Sequence, residues 1–210
     1  MKRSILIPST VATLLLAAAA AHSATCQVGV KGGVSVMELT FDGDFTGDRT
    51  GFVGGGFMLA DFSERFGLRV EGLYFQKGAH GEEGEEELTF KFDYLEFPVL
   101  GVAHVPLSET ARLDFFGGPT FGFNVKSELE IALGGLTASG DLPDAESFEF
   151  GLTFGMGVNL EAGSVVLGLD GRYGIGLTDV SDDPDDPDDD GVKNQGFAVM
   201  GSIGFPIGQK

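Results

Sequence analysis

The stretch Ala111-Arg-Leu-Asp-Phe-Phe-Gly-Gly-Pro-Thr-Phe-Gly-Phe-Asn-Val125 decides the fold class of this chain. Its odd-numbered residues are mostly large and apolar, including Leu113, Phe121 and Phe123. Its even-numbered residues are mostly charged, polar or glycine. An alternation with a period of two is that of a β-strand whose two faces meet different surroundings. The stretch therefore predicts a strand with one apolar face and one face of charge and glycine.

Seven further stretches after residue 25 alternate in the same way, although less regularly. The eight predicted strands cover about 27–39, 51–60, 66–77, 88–104, 111–125, 148–160, 165–177 and 196–205. In the third strand the apolar phase slips near Leu73 to Phe75, which predicts a β-bulge there.

The connections between these strands alternate between long and short. The long ones cover roughly 40–50, 78–87, 126–147 and 178–195, and the short ones 61–65, 105–110 and 161–164. An even number of strands joined by long loops at one end and tight turns at the other is typical of bacterial outer-membrane proteins. The predicted fold class is all-β, an eight-stranded antiparallel up-and-down transmembrane β-barrel over residues 25–210, with both termini on the periplasmic side.

The first 24 residues have the features of a secretory signal peptide. Lys2 and Arg3 precede an apolar run from Val11 to Ala21, and small residues follow where a peptidase cleaves. The alternative, a transmembrane helix, is disfavoured because the run is shorter than the ~20 residues that span a bilayer. A lipid anchor on Cys26 is a weaker alternative, and a single cysteine excludes an internal disulfide.

Alternation alone does not distinguish a membrane barrel from a soluble one, because inverting the barrel leaves the period unchanged. Glycine makes the distinction. It shares one phase with the charged residues in strands five to seven, and it weakens strands without benefit on a wetted surface. The narrow interior of an eight-stranded barrel does require small residues. We therefore expect the glycines and charges to face inward and the apolar residues to face lipid.

The charged residues of the inward phase form a balanced set of four cations and four carboxylates. They are Lys31, Arg69, Glu71, Glu96, Arg112, Asp114, Asp170 and Arg172. Buried charges require partners. The lengths of the strands place Arg69, Glu71, Glu96, Arg112 and Asp114 at similar depth, which predicts one interlocking ion-pair plug. The alternative is a scatter of surface pairs.

The overall charge excludes several classes of partner. Thirteen Lys and Arg residues stand against 32 Asp and Glu residues, a net charge of −19. A protein that binds nucleic acid or docks onto anionic lipid needs a basic face, which this composition disfavours.

The acidic residues concentrate in two predicted loops. One holds Glu82, Glu83, Glu85, Glu86 and Glu87, and the other runs from Ser181 to Gly191. Within the second, Asp186, Asp188 and Asp190 match the opening of calcium-binding loops, which predicts weak binding of calcium that also bridges to lipopolysaccharide phosphates. The charge pattern by itself favours a solvated acidic loop that binds no calcium, so both interpretations stay open. No other cofactor is expected.

No catalytic arrangement is evident. His22 lies in the signal peptide, His80 in an acidic loop and His104 beside a predicted turn. None is gathered by this interpretation with a serine or an acid at one depth. The sequence therefore predicts a protein that is not an enzyme.

Several short motifs, taken in order, resemble the PorT-like outer-membrane β-barrel family. They are Gly29-Val-Lys-Gly-Gly33, Glu71-Gly-Leu-Tyr-Phe-Gln-Lys-Gly78, Tyr94-Leu-Glu-Phe-Pro-Val99, Gly117-Gly-Pro119 and the final strand from Asn194 to Phe205. The resemblance implies an eight-stranded outer-membrane barrel that is not an enzyme. The chain departs from the pattern in two ways, since five residues follow Phe205 and tryptophan is absent.

These observations predict an integral protein of the outer membrane, with a filled lumen, acidic extracellular loops and a structural or surface-recognition role. Its expected partners are outer-membrane lipid, lipopolysaccharide and the outer-membrane assembly machinery, and a monomer is expected. Two alternatives remain: a secreted soluble lipocalin-like barrel, and a small channel or accessory component of a secretion system.

Overall fold

The computed structural model describes residues 25–40, 49–83, 86–133, 136–141, 147–178 and 193–208. The predicted signal peptide, residues 1–24, lies outside them. The described chain forms nine strands: β1 Thr25–Thr40, β2 Arg49–Asp61, β3 Phe66–Glu83, β4 Glu86–Pro106, β5 Ala111–Leu133, β6 Leu136–Asp141, β7 Phe148–Ala162, β8 Val165–Gly176 and β9 Lys193–Ile207.

Eight of these strands close into a barrel in which every neighbouring pair is antiparallel. The first and last strands complete the ring, since β1 pairs with β9 from Cys26↔Ile207 to Thr40↔Lys193. On the opposite side β4 pairs with β5, and β5 with β7. Closure leaves no free edge along the barrel wall. The predicted eight-stranded antiparallel barrel is confirmed.

The two ends of the barrel differ. The "turn end" carries the connections 62–65, 107–110 and 163–164, and the "loop end" carries the remaining ones, two of which, 84–85 and 134–135, have only two residues. Among the described residues, none belongs to a helix with the length and apolar character needed to cross a membrane.

The ninth strand corrects the prediction of a loop over 126–147. β5 continues to Leu133, and β6 pairs with its end from Glu128↔Asp141 to Leu133↔Leu136. The sequence carries a signal for this extension, because Leu129, Ile131 and Leu133 alternate with polar or small residues. β3 and β4 also extend beyond the barrel, pairing as far as Glu83↔Glu86.

The bulge predicted near Leu73 and Phe75 is wrong. The register of β3 is continuous on both sides, and the two side chains are buried on the inner face. Apolar residues are tolerated inside because Leu73 and Phe75 pack in a buried cluster with Met37, Val53, Ala198 and Met200.

The register instead shifts between β4 and β5, where Asp93 pairs with Lys126 but Tyr94 pairs with Asn124. This bulge inserts one residue, Val125, into β5. In the part of β5 that follows it, even-numbered residues therefore lie on the outer face instead of the inner one. Lys126 consequently lies on the outer face, where its side chain is 55% exposed.

The side chains face the way that the glycines predict, with apolar residues on the outside of the barrel and charged residues on the inside. Phe154 and Leu169 lie on the outer face, 49% and 60% exposed, whereas the neighbouring Asp170 is 2% exposed. Outward aromatic rings form two rows. In one row Phe123 contacts both Phe97 and Phe148, and in the other Tyr173 contacts both Phe154 and Phe197. An apolar exterior around a charged interior is the inverse of a soluble barrel, so the lipocalin-like alternative is wrong.

Candidate functional site

The lumen contains a "central ion group" at mid-height, made of Lys31, Arg69, Glu71, Asp170 and Arg172. Lys31 Nζ lies 2.8 Å from Glu71 Oε1 and 2.6 Å from Asp170 Oδ2. Arg172 donates from both terminal nitrogens to Glu71, at 2.6 and 3.1 Å. Charge-assisted pairs of this geometry are the strong ones in a water-poor interior.

Arg69 completes the central ion group in a different way. Its Nε lies 2.9 Å from Glu71 Oε1, but the angle is unsuited to a hydrogen bond. The guanidinium instead stacks on the ring of Phe116, 4.1 Å from its centroid. Arg69 is therefore held by charge attraction and by a cation–π contact.

Glycine makes room for this group. A Cβ atom on Gly157 would lie 2.6 Å from Asp170 Oδ1, and one on Gly155 would lie 2.8 Å from the Phe116 ring. Both distances are too short for any real side chain. The inward glycines of β7 are therefore required by the ion group and by the packing around it.

A second set, the "loop-end group", contains Lys77, Glu96, Glu149 and Asn194. Lys77 Nζ bridges two carboxylates, 2.7 Å from Glu96 Oε1 and 2.6 Å from Glu149 Oε1. Asn194 Nδ2 donates to Glu149 Oε2 at 2.8 Å, and its own Oδ1 is buried with no hydrogen-bond partner among the residues that the structure describes. The group borders a cavity of about 30 Å³, which is large enough for ordered water.

A third set, the "turn-end group", forms a ring of Asp61, His104, Asp114 and Arg112, supported by Asn159. His104 Nδ1 lies 2.7 Å from Asp114 Oδ1, and its Nε2 lies 2.9 Å from Asp61 Oδ1. Arg112 approaches the same two carboxylates at 3.3 and 3.5 Å. Asn159 donates to Asp114 Oδ2 at 2.8 Å.

The geometry around His104 defines what it does chemically. Both ring nitrogens face carboxylate oxygens, which only accept hydrogen bonds, so both nitrogens must carry hydrogen. Such an imidazolium has no lone pair with which to act as a general base. The arrangement is that of a buried ion pair, although the sequence interpretation found no acid near this histidine.

The three groups together are balanced in charge. The central ion group has three cations and two carboxylates, and the loop-end group has one cation and two carboxylates. The turn-end group is neutral when His104 is an imidazolium. The excess positive charge at the centre thus offsets the excess negative charge towards the loop end.

All eight residues predicted for the lumen lie on the inner face, but the predicted single plug is wrong. Glu96 contacts Lys77, whereas Arg112 and Asp114 belong to the turn-end group. The reason is the register: Arg112 pairs with Pro106, ten residues along β4 from Glu96. At about 3.3 Å a residue, the two side chains start roughly 33 Å apart along the strand.

The sequence interpretation missed four charged residues of the lumen, although most share a phase with residues that it identified. Lys77 follows Glu71 in the inward phase of β3, and His104 follows Glu96 in that of β4. Glu149 precedes Gly151 in the inward phase of β7. Asp61 lies at the last position of β2, which a single strand, β3, separates from His104 on β4.

The predicted calcium-binding residues Asp186, Asp188 and Asp190 lie outside the described residues, as does Glu85. Within the part of the chain that the structure describes, no three His, Cys, Asp or Glu side chains are grouped so as to hold a metal ion.

The sequence matches the family model described as the outer membrane protein beta-barrel domain over residues 19–182. The match covers most of the chain, so this protein belongs to that family, and its location is the outer membrane. No curated protein matches the sequence.

Two of the following three solved structures, Neisserial surface protein A and OprG, have the same fold at low sequence identity. Neisserial surface protein A has a TM-score of 0.51 at 11% identity and covers 87% of this chain and 99% of its own. OprG from Pseudomonas aeruginosa has a TM-score of 0.50 at 12% identity, with 90% and 98% covered. Ail, the attachment invasion locus protein of Yersinia pestis, is 17% identical with a TM-score of 0.45, covering 86% and 98%. At these identities the likeness concerns the fold alone.

Proposed function

We propose that this protein is a closed outer-membrane barrel of the PorT-like type, with a structural or surface-recognition role and no enzymatic activity. The observation that carries the proposal is the cross-linking of the lumen. Glu71 of β3 and Arg172 of β8 belong to strands four places apart in a ring of eight, and their side chains are in direct contact. Ion pairs between opposite walls occupy the space that a solute would need.

The unequal lengths of the strands support a role at the cell surface. β3, β4 and β5 have 18, 21 and 23 residues, whereas β2 and β8 have 13 and 12. About 9 to 11 residues of a tilted strand cross a bilayer. The extra residues lie at the loop end, where β3 to β6 form a paired sheet beyond the barrel wall. We assign recognition to this projecting sheet and to the loops around it.

On the loop-end side of the bulge at Asp93, the outer face of β3 to β5 carries polar side chains, which suit the headgroup region of the membrane. Lys126 Nζ lies 2.5 Å from Glu128 Oε2, Lys91 contacts Glu130, and Tyr74 donates to Asp93 Oδ2 at 2.6 Å. The hydrogen bond to Glu128 raises the pKa of Lys126, and it lowers the pKa of Glu128. We place lipopolysaccharide headgroups at this level, directly above the outward aromatic rings.

The remaining partners follow from the same assignment. The chain is proposed to be inserted by the outer-membrane assembly machinery, to remain a monomer and to bind no nucleic acid. Weak calcium binding at Asp186, Asp188 and Asp190 is part of the proposal. Calorimetry with calcium on the refolded protein tests it, and a variant with all three residues changed to Asn should lose the heat signal. Equal signals from both proteins would contradict calcium binding there.

Planar-bilayer recording tests the closed lumen. The refolded protein should show minimal conductance, because the central ion group crosses the lumen. Glu71→Gln should increase the current by freeing Arg172, whereas Glu64→Gln, on an exposed turn, should not. A large steady conductance of the unaltered protein would favour the small channel. Stable co-purification with secretion components would favour the accessory role.

A further inference from the structure

At the turn end, a cavity of about 150 Å³ opens between the β4–β5 turn and the ends of β7 and β8. Its volume is several times the ~10–15 Å³ that one water requires. Six of the nine lining residues are polar or charged, and these six come from two segments of the chain, 108–112 and 159–161. These residues include Ser108, Glu109, Thr110, Arg112, Asn159 and Glu161.

Arg112 offers hydrogen-bond donors to this cavity. Its Nε is buried 3.3 Å from Asp114 Oδ1 and has no hydrogen-bond partner among the described residues, so only the terminal nitrogens are available to the cavity. Its distances to Asp61 and Asp114, 3.5 and 3.3 Å, exceed those of the shortest pairs in the central ion group. Asp114 already accepts from His104 and Asn159, which limits what it can accept from Arg112. The side chain is 26% exposed, and a guanidinium presents five N–H groups that suit a carboxylate.

Two carboxylates face Arg112's cavity from its rim. Glu109 and Glu161 are exposed, and neither forms an ion pair with any residue that the structure describes. The backbone N–H of Glu161 donates to Thr110 O at 2.7 Å, which fixes the turn against the end of β7. The backbone that carries Glu109 and Glu161 is therefore fixed beside the cavity that both residues line.

The mixture of charges selects the ligand. A simple anion would be attracted by Arg112 but repelled by two carboxylates, and a simple cation would leave the guanidinium donors unused. A molecule that carries both charges satisfies both sets of groups.

We propose that this cavity binds a small zwitterion, a free amino acid or the end of a short peptide, with its ammonium group at Glu109 and Glu161 and its carboxylate at Arg112. The site lies at the turn end, which we expect to face the periplasm, and it is separate from the surface role assigned to the loop end.

Titration of the refolded, isotope-labelled protein in detergent with alanyl-alanine, followed by amide NMR shifts, tests the site. Saturable shifts are expected at residues 108–112 and 159–161. The N-acetylated and the C-amidated dipeptides should each bind about fivefold more weakly or worse, the loss expected for one exposed charge pair. Free alanine in a parallel titration distinguishes an amino-acid site from a peptide-end site.

Variants locate the interaction. Glu161→Gln and Arg112→Gln should weaken binding of alanyl-alanine about three- to fivefold, and Glu64→Gln on a different turn should leave it unchanged. If Arg112→Gln does not fold, the N-acetylated and C-amidated dipeptides still test the proposed charge pairs on the unaltered chain. The absence of saturable shifts, or equal binding of the blocked and free dipeptides, would overturn the proposal.

Discussion

Arg172 and Glu71 meet across the full diameter of the barrel, with Arg172 Nη1 2.6 Å from Glu71 Oε2. Their strands are four places apart whichever way the ring is followed. A contact of this kind ties opposite walls together and brings Lys31 and Arg69 to the same carboxylate. Glu71 thus contacts three cations of the lumen, and Asp170 lies within 3.6 Å of the same three.

Replacing Glu71 with Gln should destabilise the barrel strongly. The change preserves shape but leaves three buried cations with Asp170 as the remaining carboxylate of the central ion group. Loss of one partner from a buried ion pair costs about 3 to 5 kcal/mol. Denaturant unfolding in lipid vesicles measures this cost, with Glu64→Gln as the matched control. A loss below about 1 kcal/mol would show that water reaches the group and compensates.

Gly157→Ala should also destabilise the barrel, through contact rather than charge. The added methyl group would lie 2.6 Å from Asp170 Oδ1, so the carboxylate or the strand must shift. Overpacking of this kind costs about 1 to 3 kcal/mol. Gly171→Ala is the matched control, because its Cβ would meet nothing within 4 Å and should change the unfolding free energy by less than about 0.5 kcal/mol. Equal effects of the two variants would refute the packing of Asp170 against β7.

His104 should carry hydrogen on both ring nitrogens at neutral pH. The two acceptors that face it, Asp61 and Asp114, leave no donor for a bare nitrogen. Nitrogen NMR of a histidine-labelled protein distinguishes this form from either neutral tautomer. Asp61→Asn should shift the signal towards a neutral ring, because an amide can donate to Nε2. A neutral spectrum for the unaltered protein would contradict the closed turn-end ring.

Leu169→Lys should reduce stability in a bilayer, because this side chain is exposed on the outer face of β8. A lysine on the lipid face costs about 2 to 4 kcal/mol near the midplane and about 0 to 1 kcal/mol near the interface. Leu107→Lys, in a turn, should therefore have little effect. Unfolding in vesicles compares the two variants, and similar costs would argue that Leu169 does not face hydrocarbon.

Much of the fold was predictable from the sequence because a strand period of two is a local property. The stretch from Ala111 to Val125 shows both faces of a wall strand without reference to any other strand. The extension of β5 to Leu133 was predicted to be a loop, because its apolar residues alternate with charged ones such as Glu128 and Glu130. The alternation that marks it as a strand is nevertheless visible in the sequence. The bulge at Asp93 was not predictable, because it is a mismatch between two strands and leaves no mark on either alone.

The membership of the lumen was largely predictable, but its grouping was not. Glu96 and Asp114 both lie in an inward phase, and counting from the turn between β4 and β5 places them at different levels. Counting within that hairpin does not show that Lys77 of β3 and Asp61 of β2 complete their groups. Pairing depends on the stagger between strands, which is set by closure of the ring.

By itself the sequence determined that one face of each strand is apolar and the other holds glycine and charge, because side chains alternate along any extended backbone. Only the tertiary structure decided which charges meet. Glu71 reaches Arg172, Lys77 reaches Glu149 and His104 reaches Asp61, each across at least one intervening strand. Ion pairs between non-neighbouring strands depend on the diameter and stagger of the closed barrel, and neither quantity is written in the alternation of a single strand.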